Sequence, residues 1–277
     1  MLTSDRAAGP SQNAASVLAA LLEARTGQQI ARDRAWRLDT ALKPLLRERG
    51  LDGLDQLVRA LLLGQDHQLG DQIVDALLNQ ETSFFRDAGV FELIGDALAQ
   101  LGSDRRLRIW SAGCATGQEP LSLAMLLAER DVASFEVLAT DVSEGALARA
   151  RQGRFTQFEI QRGLPIRRMM RWFDADGNDW VAKPELMRHL TFRRVNLVSD
   201  QQPPGRFDLV LCRNVLLYLA PEQRSLVLDR IAAALRPGGL LALGAGETVI
   251  GQTNMFASSP RYRGLYELSD RADRRAA

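Results

Sequence analysis

The 277-residue chain holds only two cysteines, Cys114 and Cys212, far apart in segments expected to be buried, so no disulfide framework is expected. Its two histidines, His67 and His189, are isolated from the cysteines and from each other, which leaves no spacing suited to a metal site. No apolar run is long enough to span a bilayer, and the chain opens without a basic stretch leading into an apolar one. A cytoplasmic protein with no direct membrane insertion is therefore expected. Lysine and arginine total 35 against 34 acidic residues, a net charge of +1, so the chain as a whole lacks the electrostatic footprint of a nucleic-acid binder.

What is present is a change of pattern along the chain. Residues 1 to about 12 are small and polar and read as a tail. From Ala14 to Gln80 apolar residues recur at helical spacing, with breaks near Gly27, Gly50 to Gly53 and Gly64 to Gly70, which predicts an N-terminal helical domain over 1–80 built from four helices. Its second helix, about Ala31 to Arg49, places Leu38, Leu42 and Leu45 on one face and Arg32, Lys43 and Arg47 with Trp36 on another. Seven basic residues stand against three acidic ones between Arg25 and Arg49, either a solvated face or a docking face for an acidic helix. Pro44 predicts a kink there. A linker over 81–105 follows, in which the adjacent aromatics Phe84 and Phe85 precede Arg86 and a helix over Phe91 to Leu101.

Strands and helices alternate from Leu107 onward. Strands are expected at 107–111, 135–140, 190–196, 207–212, 239–245 and 263–268, with helices at 118–130, 144–152 and 221–235. This predicts an α/β domain over 106–270 with a mainly parallel sheet, the last strand an antiparallel edge and 271–277 a tail. Pro237-Gly238-Gly239 reads as the turn before the fifth strand. The passage LRIWSAGCATGQEP, residues 107–120, runs from a strand through a small-residue turn into a helix, the opening of a nucleotide-binding unit. Asp141 ends the second strand, where a carboxylate holds a ribose diol or caps its own turn, and Ser143 reads as a helix N-cap. The interruption from Arg151 to Arg188, an inserted subdomain of about 153–189, is rich in basic residues. It carries a helix over Ile166 to Phe173, a turn from Asp174 to Asn178 and a short apolar piece at Trp180 and Val181. Insertions of this kind sit over the ligand edge of such sheets, so it is expected to cover the site or hold the acceptor.

Several passages, taken in order, resemble the CheR family of S-adenosylmethionine-dependent protein-glutamate O-methyltransferases. They are ETSFFRD at 81–87, WSAGCATGQEPLSLA at 110–124, ATDVS at 139–143, RGLP at 162–165, FRRVNL at 192–197, FDLVLCRNVLLYL at 207–219 and LRPGGLLALGAGET at 235–248. The resemblance covers nearly the whole chain and implies a Rossmann-like methyltransferase sheet with an N-terminal helical domain and a small inserted subdomain. It implies S-adenosylmethionine as cofactor, S-adenosylhomocysteine as product and no metal. The implied cofactor residues are Gln80, Thr82 and Arg86 of the linker, Gly113 and Glu119 of the glycine-turn motif, Asp141 for the ribose, Asn196 and Leu197 on the adenine side, and Arg213 with Asn214 at the end of the fourth strand. The implied partner is the cytoplasmic helical domain of a chemoreceptor, recognised through the basic second helix by Arg32, Lys43 and Arg47. Departures from the family pattern are Gln80 where many relatives have asparagine and Ala41 where they often carry arginine; against the general methyltransferase pattern, Ser111 replaces the usual acidic residue before the glycines and Ala115 the middle glycine. The short turn at Asp174 to Asp179 implies independence of a receptor C-terminal tether peptide.

The chemistry agrees with the residue types. A glutamate side chain, with a pKa of roughly 4.3, is already an anionic nucleophile at neutral pH. No general base is needed, and no histidine, lysine or Asn/Asp-Pro-Pro-aromatic sequence accompanies the motifs. Arg213 or Tyr218 is expected to orient the incoming carboxylate; otherwise Arg213 pairs with a neighbouring acid and Tyr218 packs beneath the following helix. Two other functions stay open: an S-adenosylmethionine-binding regulatory or scaffold protein that has lost turnover, and a methyltransferase for RNA or a small molecule that uses the basic insertion.

Overall fold

The computed structural model describes residues 12–30, 36–101, 105–132, 134–199, 203 and 205–269. Arg32, the start of the expected second helix and both expected tails lie outside them. The chain divides into two compact units, Met1–Asn79 and Gln80–Ala277. The first holds α1 (Gln12–Thr26), α2 (Trp36–Glu48), α3 (Leu54–Leu63) and α4 (Leu69–Leu77). Leucines at helical spacing, among them Leu18, Leu22, Leu38, Leu42 and Leu57, meet Ile73 in its core. Opposite that core α2 exposes Trp36, Lys43 and Arg47, and Pro44 lies inside the helix. Thus Lys43 and Arg47 share the outward face with an aromatic ring.

In the second unit the segment expected as a linker folds into the core. Phe84, Phe85 and Phe91 are buried, the last on α5 (Ala88–Leu101), because adjacent aromatics of this size have more to gain by packing than by crossing solvent. The main sheet follows with β1 (Leu107–Ala112), β2 (Phe135–Asp141), β6 (Leu190–Arg194), β7 (Phe207–Cys212), β8 (Leu235–Leu243), β9 (Phe256–Ser258) and β10 (Tyr266–Leu268). Their order is β6-β2-β1-β7-β8-β10-β9, and the first five are parallel. Strand β10 is antiparallel to β8 as expected, yet it is not the edge: β9 pairs outside it. Nor does Pro237-Gly238-Gly239 precede β8; the strand runs through it, and the ladder to β7 slips between Phe207 and Leu209 to absorb it.

Side chains alternate across the sheet. Ile109, Val137, Leu209 and Leu240 face α6 (Gln118–Glu129), while Trp110, Val210 and Leu241 pack against α11 (Pro221–Ala234). Leu121, Leu123, Leu126 and Leu127 of α6 are all buried, at about 1.5–3 kcal/mol of transfer free energy each. Beyond β2 comes α7 (Glu144–Gln152), capped by the Ser143 hydroxyl, which accepts from the Ala146 N–H at 3.0 Å. The insertion then forms β3 (Arg154–Thr156), α8 (Gln157–Gln161), α9 (Ile166–Trp172), β4 (Phe173–Asp176), β5 (Asp179–Ala182) and α10 (Pro184–Met187). The apolar piece at Trp180 and Val181 is the central strand of a small antiparallel sheet ordered β3-β5-β4.

Candidate active site

The chain leaves β1 for β2 on one side, and β7 joins β1 on the other, so the strand order reverses between β1 and β7. Ligands of open α/β sheets bind beyond the carboxyl ends of the strands at such a point. There the Gly113 and Cys114 N–H groups both donate to the Thr140 carbonyl, at 2.7 and 2.9 Å, tying the turn to the end of β2. Gly113, Ala115 and Gly117 all have positive φ, and a Cβ on Gly113 would stand 2.4 Å from Val215 Cγ2. Asp141 receives the Ala115 N–H at 2.8 Å and the Ser143 N–H at 2.9 Å. Its carboxylate therefore shapes both loops around the cleft.

The loop after β7 is held differently. Glu247, beyond the end of β8, accepts from the backbone N–H groups of Asn214 at 2.7 Å, Val215 at 2.9 Å, Leu217 at 3.3 Å and Gly244 at 2.8 Å. Asn214 sits at φ +58, a left-handed conformation that asparagine adopts more readily than most residues with a Cβ. Sequence reasoning gave Glu247 no role; its only signal was its place in the GAGET passage.

Arg213 joins three segments. Its guanidinium reaches Glu119 at 3.1 Å, Asp87 at 2.7 Å and the Arg86 carbonyl at 2.8 Å, and its side chain is 2% exposed. It pairs with neighbouring acids, the alternative to orienting an acceptor, while Nε is buried with no hydrogen-bond partner among the described residues. Glu119 also accepts from the Ser111 hydroxyl at 2.8 Å. Burial pushes the Glu119 carboxyl above its ordinary pKa, opposed by the charge of Arg213. Asp87 was likewise overlooked, since its value depends on a guanidinium far along the chain.

The chain is similar to known proteins over most of its length. The model of the CheR methyltransferase, SAM binding domain matches residues 80–264. This chain belongs to the CheR methyltransferase family. A chemotaxis protein methyltransferase 1 of Pseudomonas aeruginosa is 35% identical over 240 residues, covering 82% of this chain and 87% of that one. One of the same name from Vibrio cholerae is 35% identical over 244 residues, covering 85% and 89%. The fold is accordingly that of a Rossmann-like S-adenosylmethionine-dependent methyltransferase with an added helical unit, and the chain is an enzyme of that class.

S-adenosylmethionine suits the donor set of the cleft: carboxylates at Glu119 and Asp141, a small-residue turn into the amino end of α6, and the unmatched buried Nε of Arg213. Among the described residues no group of acidic, histidine and cysteine side chains is suited to a metal. The other expected cofactor residues of this CheR-family domain fall nearby in the fold. Gln80 donates to the Ser143 hydroxyl at 3.1 Å, Thr82 is half-buried, and Arg86 donates to the Glu81 carbonyl at 3.2 Å. Asn196 and Leu197, both half-buried, follow β6, where Asn196 caps its own turn through the Val198 N–H at 3.1 Å. Tyr218 ends a 3-10 turn, Leu216–Tyr218, and is half-buried. Lys43 and Arg47 belong to the other unit and Arg32 lies outside the described residues.

Proposed function

We propose that this chain is a protein-glutamate O-methyltransferase that converts glutamate side chains on the cytoplasmic helical domain of a chemoreceptor into methyl esters, as part of sensory adaptation in chemotaxis. The observation that supports this best is the chemistry of the cleft: its carboxylates, Glu119 and Asp141, are already engaged by a hydroxyl, Arg213 and backbone N–H groups, and neither histidine stands beside them. Of the two histidines, His67 is in the helical unit and His189 stacks on Phe135 at the start of β2, the far end of the strands. Such a cleft suits an acceptor that arrives already ionised.

S-adenosylmethionine supplies an electrophilic methyl on a cationic sulfonium. In this proposal Asp141 receives the ribose hydroxyls, Asn196 and Leu197 flank the adenine, and Glu119 faces the ammonium group. Gln80, Thr82 and Arg86 close the cleft from the segment before α5, and Asn214 lines it from the loop after β7. Arg213 is a positioning residue that holds Glu119 and Asp87. Tyr218 orients the acceptor, so Tyr218→Phe is expected to lower turnover about tenfold with cofactor affinity unchanged; unchanged turnover would remove Tyr218 from the mechanism. Alignment of carboxylate, methyl and sulfur can supply ~7–11 kcal/mol of the barrier without proton transfer. The β4–β5 hairpin turns through only two residues, Gly177 and Asn178, which supports independence of a receptor tether. Tight binding of a receptor C-terminal pentapeptide would contradict that part.

The test is transfer of labelled methyl from S-adenosylmethionine to receptor cytoplasmic fragments, then mild base. Release of the label as methanol supports carboxyl methylation. Cofactor binding by calorimetry without transfer to any receptor would instead favour a regulatory protein.

A further inference from the structure

Helix α9 buries one side and leaves the other bare. Met169 and Trp172 face inward, Arg168 lies 4.2 Å over the Phe85 ring and pairs with Glu129 at 2.8 Å, and the Trp172 Nε1–H donates to Glu129 at 3.1 Å. Outward, Ile166 is 71% exposed and Met170 63%, at i and i+4, beside exposed Arg167 and Arg171 at the same spacing. Most cations around it are neutralised within the unit: Arg154 by Asp176 and Asp179, Arg162 by Glu81, Lys183 by Asp174. Arg167 has no ion-pair partner among the described residues, and Arg171 meets only the Trp172 ring, at 4.7 Å. Two apolar side chains and two uncommitted cations thus share one helix face. The turn before α9 is fixed to the cofactor segment, with the Phe84 N–H donating to the Arg162 carbonyl at 3.2 Å and Arg162 paired with Glu81 at 2.5 Å.

We propose that this face, Ile166, Arg167, Met170 and Arg171, is a docking surface for the acidic amphipathic helix that carries the acceptor glutamates. The inference rests on the receptor reading above. Charge complementarity favours this occupant: the acceptors are carboxylates by the nature of the reaction, so it brings negative charge to whatever surface holds it. A helix with carboxylates beside an apolar stripe matches the paired i, i+4 spacing of cations and apolar groups on α9.

The experiment compares the full chain with an Arg167→Glu, Arg171→Glu variant and an Ile166→Ser, Met170→Ser variant, using a receptor cytoplasmic fragment as substrate. Methyl transfer, fragment binding by fluorescence anisotropy and S-adenosylmethionine affinity are read together. Charge reversal is expected to raise KM about tenfold, less so at high salt, with kcat and cofactor affinity within about twofold. The serine variant is expected to raise KM about fivefold with little salt dependence, and arginine-to-lysine changes to restore most of the loss. Unchanged KM and fragment binding in both variants, with active wild type, overturns the surface alone. Wild type that neither binds nor methylates any receptor overturns the receptor reading, and this inference with it. Loss of binding to anionic phospholipid vesicles with unchanged KM overturns it in favour of a membrane contact.

Discussion

Two loops at the carboxyl ends of adjacent strands hold left-handed backbone by opposite means. After β1 the turn relies on glycine, with Gly113 and Gly117 at φ +84 and +96. After β7 no glycine is available: Asn214 takes φ +58, and a carboxylate from beyond β8 grips the backbone on either side. The first solution is local and removes the obstructing side chain. The second is tertiary, because the loop has its shape only once β8 has delivered Glu247. Arg213 and Tyr218 sit on the stapled loop, so the geometry of the proposed acceptor side depends on the more distant of the two devices.

Removing the staple should have the largest effect. Glu247→Ala leaves four N–H donors without their acceptor, and charge-assisted bonds of this kind contribute about 1.5–3 kcal/mol each before relaxation and water recover part of it. A net loss of ~3–5 kcal/mol in urea unfolding is expected, with turnover down more than about tenfold. Glu247→Gln keeps one carbonyl oxygen and should fall between. Wild-type stability in the alanine variant would show that the loop holds itself. Next comes the glycine side. Gly113→Ala sets a Cβ 2.4 Å from Val215 Cγ2, on the stapled loop, at a φ of +84. About 2–4 kcal/mol of destabilisation is expected. Adding Val215→Ala should return roughly half, leaving the backbone strain of about 1–2 kcal/mol. Strict additivity of the two changes would mean that the loops do not communicate through this contact.

A smaller effect concerns the carboxylate between the loops. Burial raises the pKa of Glu119 in the free protein, so in the range just above ordinary glutamate it holds a proton more often than an exposed group would. A cationic ammonium beside it favours the ionised form. Binding of S-adenosylmethionine should therefore release protons, and affinity should rise with pH through that range by at most about tenfold per unit, then level off. Calorimetry in two buffers of different ionisation heat measures this. Equal apparent heats there would place the ammonium elsewhere, and Glu119→Gln should abolish the dependence.

The same contrast explains what was legible in the sequence. Gly113, Gly117, Asp141 and the Ser143 cap act within a few residues of themselves, so their pattern is visible along the chain. Glu247 and Asp87 act on groups 33 and 126 positions away, and nothing local distinguishes them from solvated acids. Arg213 was singled out, but its two acids come from different segments, so its role as a clamp appears only in the fold. The sheet was readable where strands are continuous apolar runs, as in β7. It was not where β5 offers four residues, too few for alternation to show, or where β8 carries Pro237 through a slipped ladder. Phe84 and Phe85 were read as a linker because adjacent aromatics have no period of their own.

The finest test of the comparison is Ala115, the one position of the glycine turn where the chain keeps a side chain at positive φ, +46. The left-handed conformation costs an alanine about 1–2 kcal/mol, while glycine carries extra entropy in the unfolded chain worth about 0.5–1 kcal/mol. The two nearly offset, so Ala115→Gly should stabilise by no more than ~1 kcal/mol in urea unfolding. What separates the two loops is the partner. The Ala115 N–H is already held by Asp141 at 2.8 Å, a staple in miniature, so the alanine turn is fixed before any ligand arrives. If that bond sets the conformation, Ala115→Gly leaves cofactor affinity within about twofold, because the donor stays in place without the methyl group. If instead the alanine itself stiffens the turn, the glycine variant binds several-fold more weakly while unfolding no more easily, and the first loop would prove to depend on a side chain as the second does.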